Sequence, residues 1–112
     1  MKHTLKIKAL SVNRAYQGRR FATPELTKYK RDVGLLLPNL RVPQGELEVK
    51  YTFGISMATD GENCIKAFTD ILAQKYGFND NRIYRWIVEK VVVKKGEEFI
   101  EFKIKTHGRK AV

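Results

Sequence analysis

Apolar and polar residues alternate through Thr4–Leu10, with Leu5, Ile7 and Ala9 on one side and Lys6, Lys8 and Leu10 on the other, which predicts a half-buried strand with lysines on its wet side. Residues 11–22 (SVNRAYQGRRFA) show no period and read as a mobile basic loop. At Thr23-Pro24-Glu25 the signals for a helix start coincide: a capping hydroxyl, a proline at the first helical position and an acid in the first turn. Leu26, Tyr29, Val33 and Leu36 or Leu37 then recur at helical spacing until Pro38 stops them. Glu46–Ser56 places Leu47, Val49, Tyr51, Phe53 and Ile55 on one face and is the clearest strand. Asn63–Tyr76 is helical, with Ile65, Phe68, Ile71 and Leu72 as its apolar side and Gly77 as a left-handed C-terminal residue. Arg82–Val93 is extended, Lys94-Lys95-Gly96-Glu97 reads as a hairpin turn, and Phe99–Ile104 is the returning strand. Residues 105–112 form a basic tail expected to fray.

The order β, loop, α, β, α, β, β predicts an α/β domain of the α+β type: a small mixed sheet with the helices packed on one face. Its other face is left to solvent or to a partner subunit. With 112 residues, 1–112 make one domain, and 43% hydrophobic residues are enough for a core.

Charge changes the picture. Twenty-two Lys and Arg against 12 Asp and Glu give +10, and residues 1–50 hold 11 basic and 4 acidic residues, so the front half is the more basic. A polyanionic partner accounts for such an excess, because each phosphate neutralised releases counterions. The start MKHTLKIKAL alternates and is no signal peptide, no run is long enough to span a bilayer, and a single cysteine, Cys64, forms no internal disulfide. The expectation is a cytoplasmic protein with no membrane partner.

Against this basic background stand a few acids at suggestive spacing. Asp60 and Glu62 are two apart, so in an extended segment they point to one side. Lys66 and Asp70 share one face of the following helix, and Asp80 returns after it, joining the first two only if the chain reversal brings it back to their end of the sheet. Oxygen ligands without paired histidines suit a hard cation, Mg²⁺ with Mn²⁺ as substitute. Such an ion lowers the pKa of an attacking water and neutralises phosphoryl charge, while Lys66 adds positive charge or orients the water. The same residues also read blandly: a turn at Asp60-Gly61, a helix-dipole charge at Glu62, a surface pair at Lys66 and Asp70, and a loop at Asn79-Asp80.

The run Asp60-Gly61-Glu62-Asn63, then Lys66, Asp70 and Leu72, then Gly77-Phe78-Asn79-Asp80 and Ile83, resembles the RusA family of Holliday-junction resolvases. In that family an Asp-x-Asp-Asn run precedes a helix carrying a lysine and an aspartate, and an Asp-Asp pair follows it. The resemblance implies that Asp60, Glu62 and Asp80 hold metal and catalyse together with Lys66, and that Asn63, Asp70 and Asn79 support them. It extends forward through Ser11-Val12-Asn13-Arg14 and Tyr29-Lys30, covering most of the chain from about Leu10 to Ile104. It further implies a homodimer making paired symmetric nicks in four-way DNA junctions with Mg²⁺, in recombination and repair. The chain departs from the family pattern at Glu62, one methylene longer, and at Asn79, which lacks a charge.

Arg14, Tyr16, Arg19, Arg20 and Phe21 interleave cations with rings, the composition of a loop that orders on DNA by phosphate contact and stacking; with Asn13 before them and Lys28, Lys30 and Arg31 on the next helix they form the candidate DNA-binding set. Trp86 suits a core or dimer contact better than base stacking, Tyr84 is open between these, His3 and His107 have no catalytic support, and Cys64 suits a small packed residue rather than a nucleophile. Two other functions fit the charge: a noncatalytic branched-DNA-binding protein with a weakened acidic site, and a structural protein that binds an acidic protein surface. If Arg19 and Arg20 contact phosphates, changing both to Ala weakens DNA binding and lowers the slope of log K against log salt by up to about two units. Salt titration of binding by fluorescence anisotropy measures this, and an unchanged slope removes the contact.

Overall fold

Leu47–Ile55, where alternation is most complete, forms the central strand of the sheet, and Leu47, Val49, Tyr51, Phe53 and Ile55 are all 5% exposed or less. The computed structural model describes residues 2–10, 24–56 and 62–108, leaving aside the side chains of Glu62 and Asn63. In chain order it contains β1 (His3–Leu5), α1 (Pro24–Leu36), β2 (Leu47–Ile55), α2 (Glu62–Tyr76), a 3₁₀ turn at Asp80–Arg82, β3 (Ile83–Val92) and β4 (Phe99–Thr106). The strands line up as β1-β4-β2-β3, with β3 parallel to β2 and β4 antiparallel to both β2 and β1. This is the expected small mixed sheet with two helices.

Both helices lie against the face that β2 fills with large residues. From α1 come Leu26, Tyr29 and Val33, and from α2 Cys64, Ala67, Phe68, Ile71 and Leu72, all within one core together with Ile100 and Phe102 of β4. The rings of Tyr51, Phe53, Phe68 and Phe102 meet edge to face at centroid separations of 5.2–6.3 Å. Such pairs contribute about 0.5–1.5 kcal/mol each beyond their buried area. Tyr51 is fully buried, and its hydroxyl is hydrogen-bonded to that of Thr69 at 2.8 Å, so the one polar atom of this cluster is satisfied from α2.

Helix ends follow the local chemistry. After α1 the Leu37 N–H still reaches the Val33 carbonyl, and Pro38 then ends the repeat, its carbonyl accepting from the Tyr76 hydroxyl at 2.6 Å. Gly77 takes the expected positive φ of 68° after α2, and the Phe78 N–H returns to the Ala73 carbonyl.

Three features differ from the sequence reading. Strand one is three residues long, since its partner β4 begins at Phe99, one place beyond the Leu5↔Ile100 pair; Ile7, Ala9 and Leu10 then pack against the core without a ladder. The turn at Lys94–Glu97 forms, with the Glu97 N–H on the Lys94 carbonyl and Gly96 at φ 95°, but β3 and β4 are not a hairpin. Instead residues 93–98 pass over the end of β2, where the Val93 N–H takes the Ile55 carbonyl and the Ser56 hydroxyl donates to Glu98. β2 thereby becomes the middle strand, the place its two-sided burial demands. Finally, Lys105 and Thr106 are not frayed: β4 continues through them, and the His107 N–H bonds to the Glu46 carbonyl.

On the sheet's second face Gly54 has the ring of Phe99 directly above it, so close that an added Cβ would meet ring carbons at 2.3 Å. Within the core, Phe68→Ala is expected to cost about 3–5 kcal/mol, the range for removing a fully buried ring. Urea unfolding followed by circular dichroism measures this, and a loss below about 1 kcal/mol contradicts the central place given to Phe68.

Candidate functional site

α2 begins at Glu62, immediately after residues 57–61, so the acidic run opens the helix that connects two parallel strands. Burial of Cys64, Phe68, Ile71 and Leu72 fixes the helix rotation and turns Lys66 outward. Lys66 and Asp70, one turn apart, form the expected pair, with Nζ 3.6 Å from the carboxylate. Glu62 stands in the first helical turn, so the extended geometry that would set it beside Asp60 does not continue through it, and Asn63 follows within the helix. Asp60 itself, the side chains of Glu62 and Asn63, and the basic loop with Asn13, Arg14, Tyr16, Arg19, Arg20 and Phe21 lie outside the described residues.

Asp80 is at the other end of α2. Because β3 runs parallel to β2, with Ile83 opposite Leu47, the turn that begins β3 lies beside the start of β2, whereas Glu62 follows its end. Fifteen helical residues at about 1.5 Å each separate the two by about 22 Å along the axis. One subunit therefore does not bring Asp80 to Glu62. Among the described residues no group of three His, Cys, Asp or Glu side chains is arranged to hold a metal ion. Asn79 serves a local purpose, its side-chain oxygen accepting the Asn81 N–H at 2.9 Å and capping the 3₁₀ turn. Arg82 anchors the same corner, its guanidinium donating to the carbonyls of Gly45 and Pro43.

Lys28, Lys30 and Arg31 are exposed on α1, away from the Leu26, Tyr29 and Val33 side that meets the core. Asp32 lies 3.9 Å from Lys28 and 3.7 Å from Arg31, which offsets part of their charge. A second basic surface escaped the sequence reading. On the sheet face that the helices leave open, Lys50, Lys103 and Lys105 with Glu48 and Ile87 line a shallow depression. The period-two charges of β2 and β4 carry this signal, since Glu48 and Lys50 lie opposite Lys105 and Lys103. Cys64 is a buried packing residue, as expected, while Trp86 sits edge-on to Tyr51 at 6.2 Å but stays 42% exposed outside the core, and Tyr84 stacks on His107.

Glu48 orders the open face. Its carboxylate lies 3.1 Å from Lys105 and 3.6 Å from Arg85 while the residue itself is buried. The Lys105 hydrogen bond holds this carboxyl below the usual glutamate range against the opposing effect of burial, with the charges of Lys105 and Arg85 adding to the depression.

No family model matches the chain, and no curated protein matches it.

A carboxyl whose folded pKa is depressed stabilises the fold above its unfolded pKa, about 4.3, and that contribution disappears as pH falls through the lower folded value. Glu48→Gln is therefore expected to lower stability by a constant amount above about pH 5, with the gap to the parent protein closing below about pH 4. Thermal melts of both proteins across this range check it; a gap that widens in acid contradicts the assignment.

Proposed function

We propose that the chain is a metal-dependent endonuclease acting on branched DNA, as its resemblance to the RusA resolvases implies. The supporting observation is that Glu62 heads the crossover helix, with the Lys66–Asp70 pair one turn further on, in a chain of net charge +10. Mg²⁺ is commonly held by one or two carboxylates with waters and substrate phosphates completing its shell. Asp60 and Glu62 supply donors of that kind, and Mn²⁺ accepts the same set. When bound, the ion supplies charge neutralisation at the phosphate and acidifies the attacking water. Lys66, exposed beside Asp70, adds positive charge at the phosphate or orients the water, and Asp70 holds the lysine in place. The cations of residues 11–22 and of α1 bind the backbone, and a homodimer with two such sites suits the two-fold symmetry of a four-way junction.

The separation of Asp80 from Glu62, about 22 Å along the helix axis, favours a second reading, a noncatalytic protein that binds branched DNA through the same cations. A labelled four-way junction and a matched duplex, incubated with Mg²⁺, Mn²⁺ or EDTA, separate the two. Paired, metal-dependent nicks in the junction are expected from the parent protein. Glu62→Gln should lower the rate by about a hundredfold or more while preserving binding, consistent with the several kcal/mol a catalytic metal supplies. Asp80→Asn, run alongside, shows whether Asp80 takes part. Binding with no product under either metal establishes the noncatalytic reading, and absence of binding at low salt leaves an acidic protein surface as the partner.

A further inference from the structure

The geometry points to β3 as the seam between two copies of this chain, joined edge to edge and antiparallel with Ile87 at the two-fold axis. β3 is the outer strand beside β2; its inner side is bonded from Ile83 to Val92, and among the described residues no strand covers its outer side. Among the described residues, four of the six exposed large hydrophobic side chains lie on it: Tyr84, Trp86, Val91 and Val92. It is ten residues long and contains neither Pro nor Gly; its charges, Arg85, Glu89 and Lys90, are the groups that would have to be matched by whatever strand pairs with it. An edge of this kind is a template for another strand.

Charge selects the occupant and the register. Along β3, Arg85, Ile87, Glu89 and Val91 share the open face of the sheet, and Trp86 and Val88 share the helix-covered face. In an antiparallel pair, directly opposite residues lie on the same face, so centring on Ile87 sets Arg85 against the partner's Glu89, and Glu89 against the partner's Arg85. Ile87 then meets its own copy, and Trp86 faces the partner's Val88. Centring on Val88 puts both charges against aliphatic side chains, and centring on Glu89 puts two carboxylates together. Within one subunit Lys105, Glu48 and Arg85 already form a row of alternating charge, and Glu89 lies 3.5 Å from Lys50. The Ile87-centred pairing continues that alternation across the seam: Lys105, Glu48, Arg85, then the partner's Glu89 and the partner's Lys50. Arg85 and Glu89 remain more than half exposed, with donors and lone pairs left for a second partner. The irregularity between Leu47 and Glu48, which leaves Tyr84 out of register, limits the regular ladder to residues 85–89.

Such a pairing makes one eight-stranded sheet with all four helices on one side and the cations of both open faces on the other. It fixes where the subunits meet and does not depend on the nuclease reading.

The mass in solution and site-specific cross-linking test it. By light scattering during size exclusion, the parent protein should show twice the 13.0 kDa chain mass. Ile87→Cys should form a covalent dimer under mild oxidation, because the two positions face each other with Cβ atoms about 5 Å apart; Val91→Cys, exposed on the same strand, should not. The only native thiol, Cys64, is buried and does not obscure the result. Arg85→Glu should weaken dimerisation at least tenfold, because it sets a carboxylate against both Glu48 of its own subunit and the partner's Glu89. A monomeric mass at high concentration, or a dimer in which V91C cross-links and I87C does not, overturns the proposal.

Discussion

The fold depends on the contact between the β2 aromatic residues and α2. Tyr51 is enclosed completely, which leaves its hydroxyl with no access to water; an unmet hydroxyl there would cost on the order of 1–3 kcal/mol. Thr69 supplies the partner, and Phe68 beside it meets Tyr51, Phe53 and Phe102 edge to face. These contacts set both the rotation of α2 and its height above the sheet. Once Phe68 and Thr69 face inward, the helical repeat places Lys66 outside and Asp70 at the boundary, so the geometry of the candidate site follows from the core. Burial also raises the Tyr51 pKa, and the nearby Asp70 charge adds to the rise, which keeps the phenol protonated as a hydrogen-bonding group.

The two sides of the sheet solve different problems. On the helix side, apolar residues of β2 meet two helices and exclude water. On the open side, Phe99 lies over Gly54, and Glu48 lies between Lys105 and Arg85. A buried carboxylate is costly by itself, but two cations and a short contact favour its charged form, as the depressed pKa records. Reversing this arrangement, with cations on the helix side and apolar residues outside, would leave β2 without a core. The alternating sequence therefore determines which face is dry and which one presents lysines to solvent.

How far the sequence was legible depended on how local the governing interaction is. β2, α2 with its Gly77 ending and the Lys66–Asp70 pair rest on spacings of two, three or four residues, and all are present in the structure. Strand order rests on distant partners. The Gly96 turn correctly predicts a chain reversal, but a turn motif contains no information about which strand the returning segment joins; β4 passes the end of β2 because Ile100 and Phe102 complete the core on that side. The short β1 has the same origin, since its alternation continues to Leu10 while its partner ends at Phe99. The open-face cations were legible in principle, as alternating charges on β2 and β4, but only strand pairing brings Lys50, Lys103 and Lys105 together.

The same distinction explains the acidic residues. In a β-α-β unit with parallel strands, the residues entering the helix and those leaving it lie at opposite ends of the sheet, whatever their identity. Glu62 enters and Asp80 leaves, so even a characteristic spacing between them along the chain implies separation within one subunit. Each end then has to be understood from its own neighbours. At the Asp80 end, Asn79 caps the 3₁₀ turn through its amide oxygen, and Arg82 ties the corner to the carbonyls of Pro43 and Gly45. Capping requires an oxygen acceptor and no charge, so asparagine performs it as well as aspartate, and Asn79 has a structural role here that is independent of metal. At the Glu62 end the neighbours are a lysine one turn along the helix and an aspartate that pairs with it. A carboxylate, a cation and the head of a helix are groups suited to a phosphate and its counterion, which makes this end of α2 the stronger candidate for chemistry.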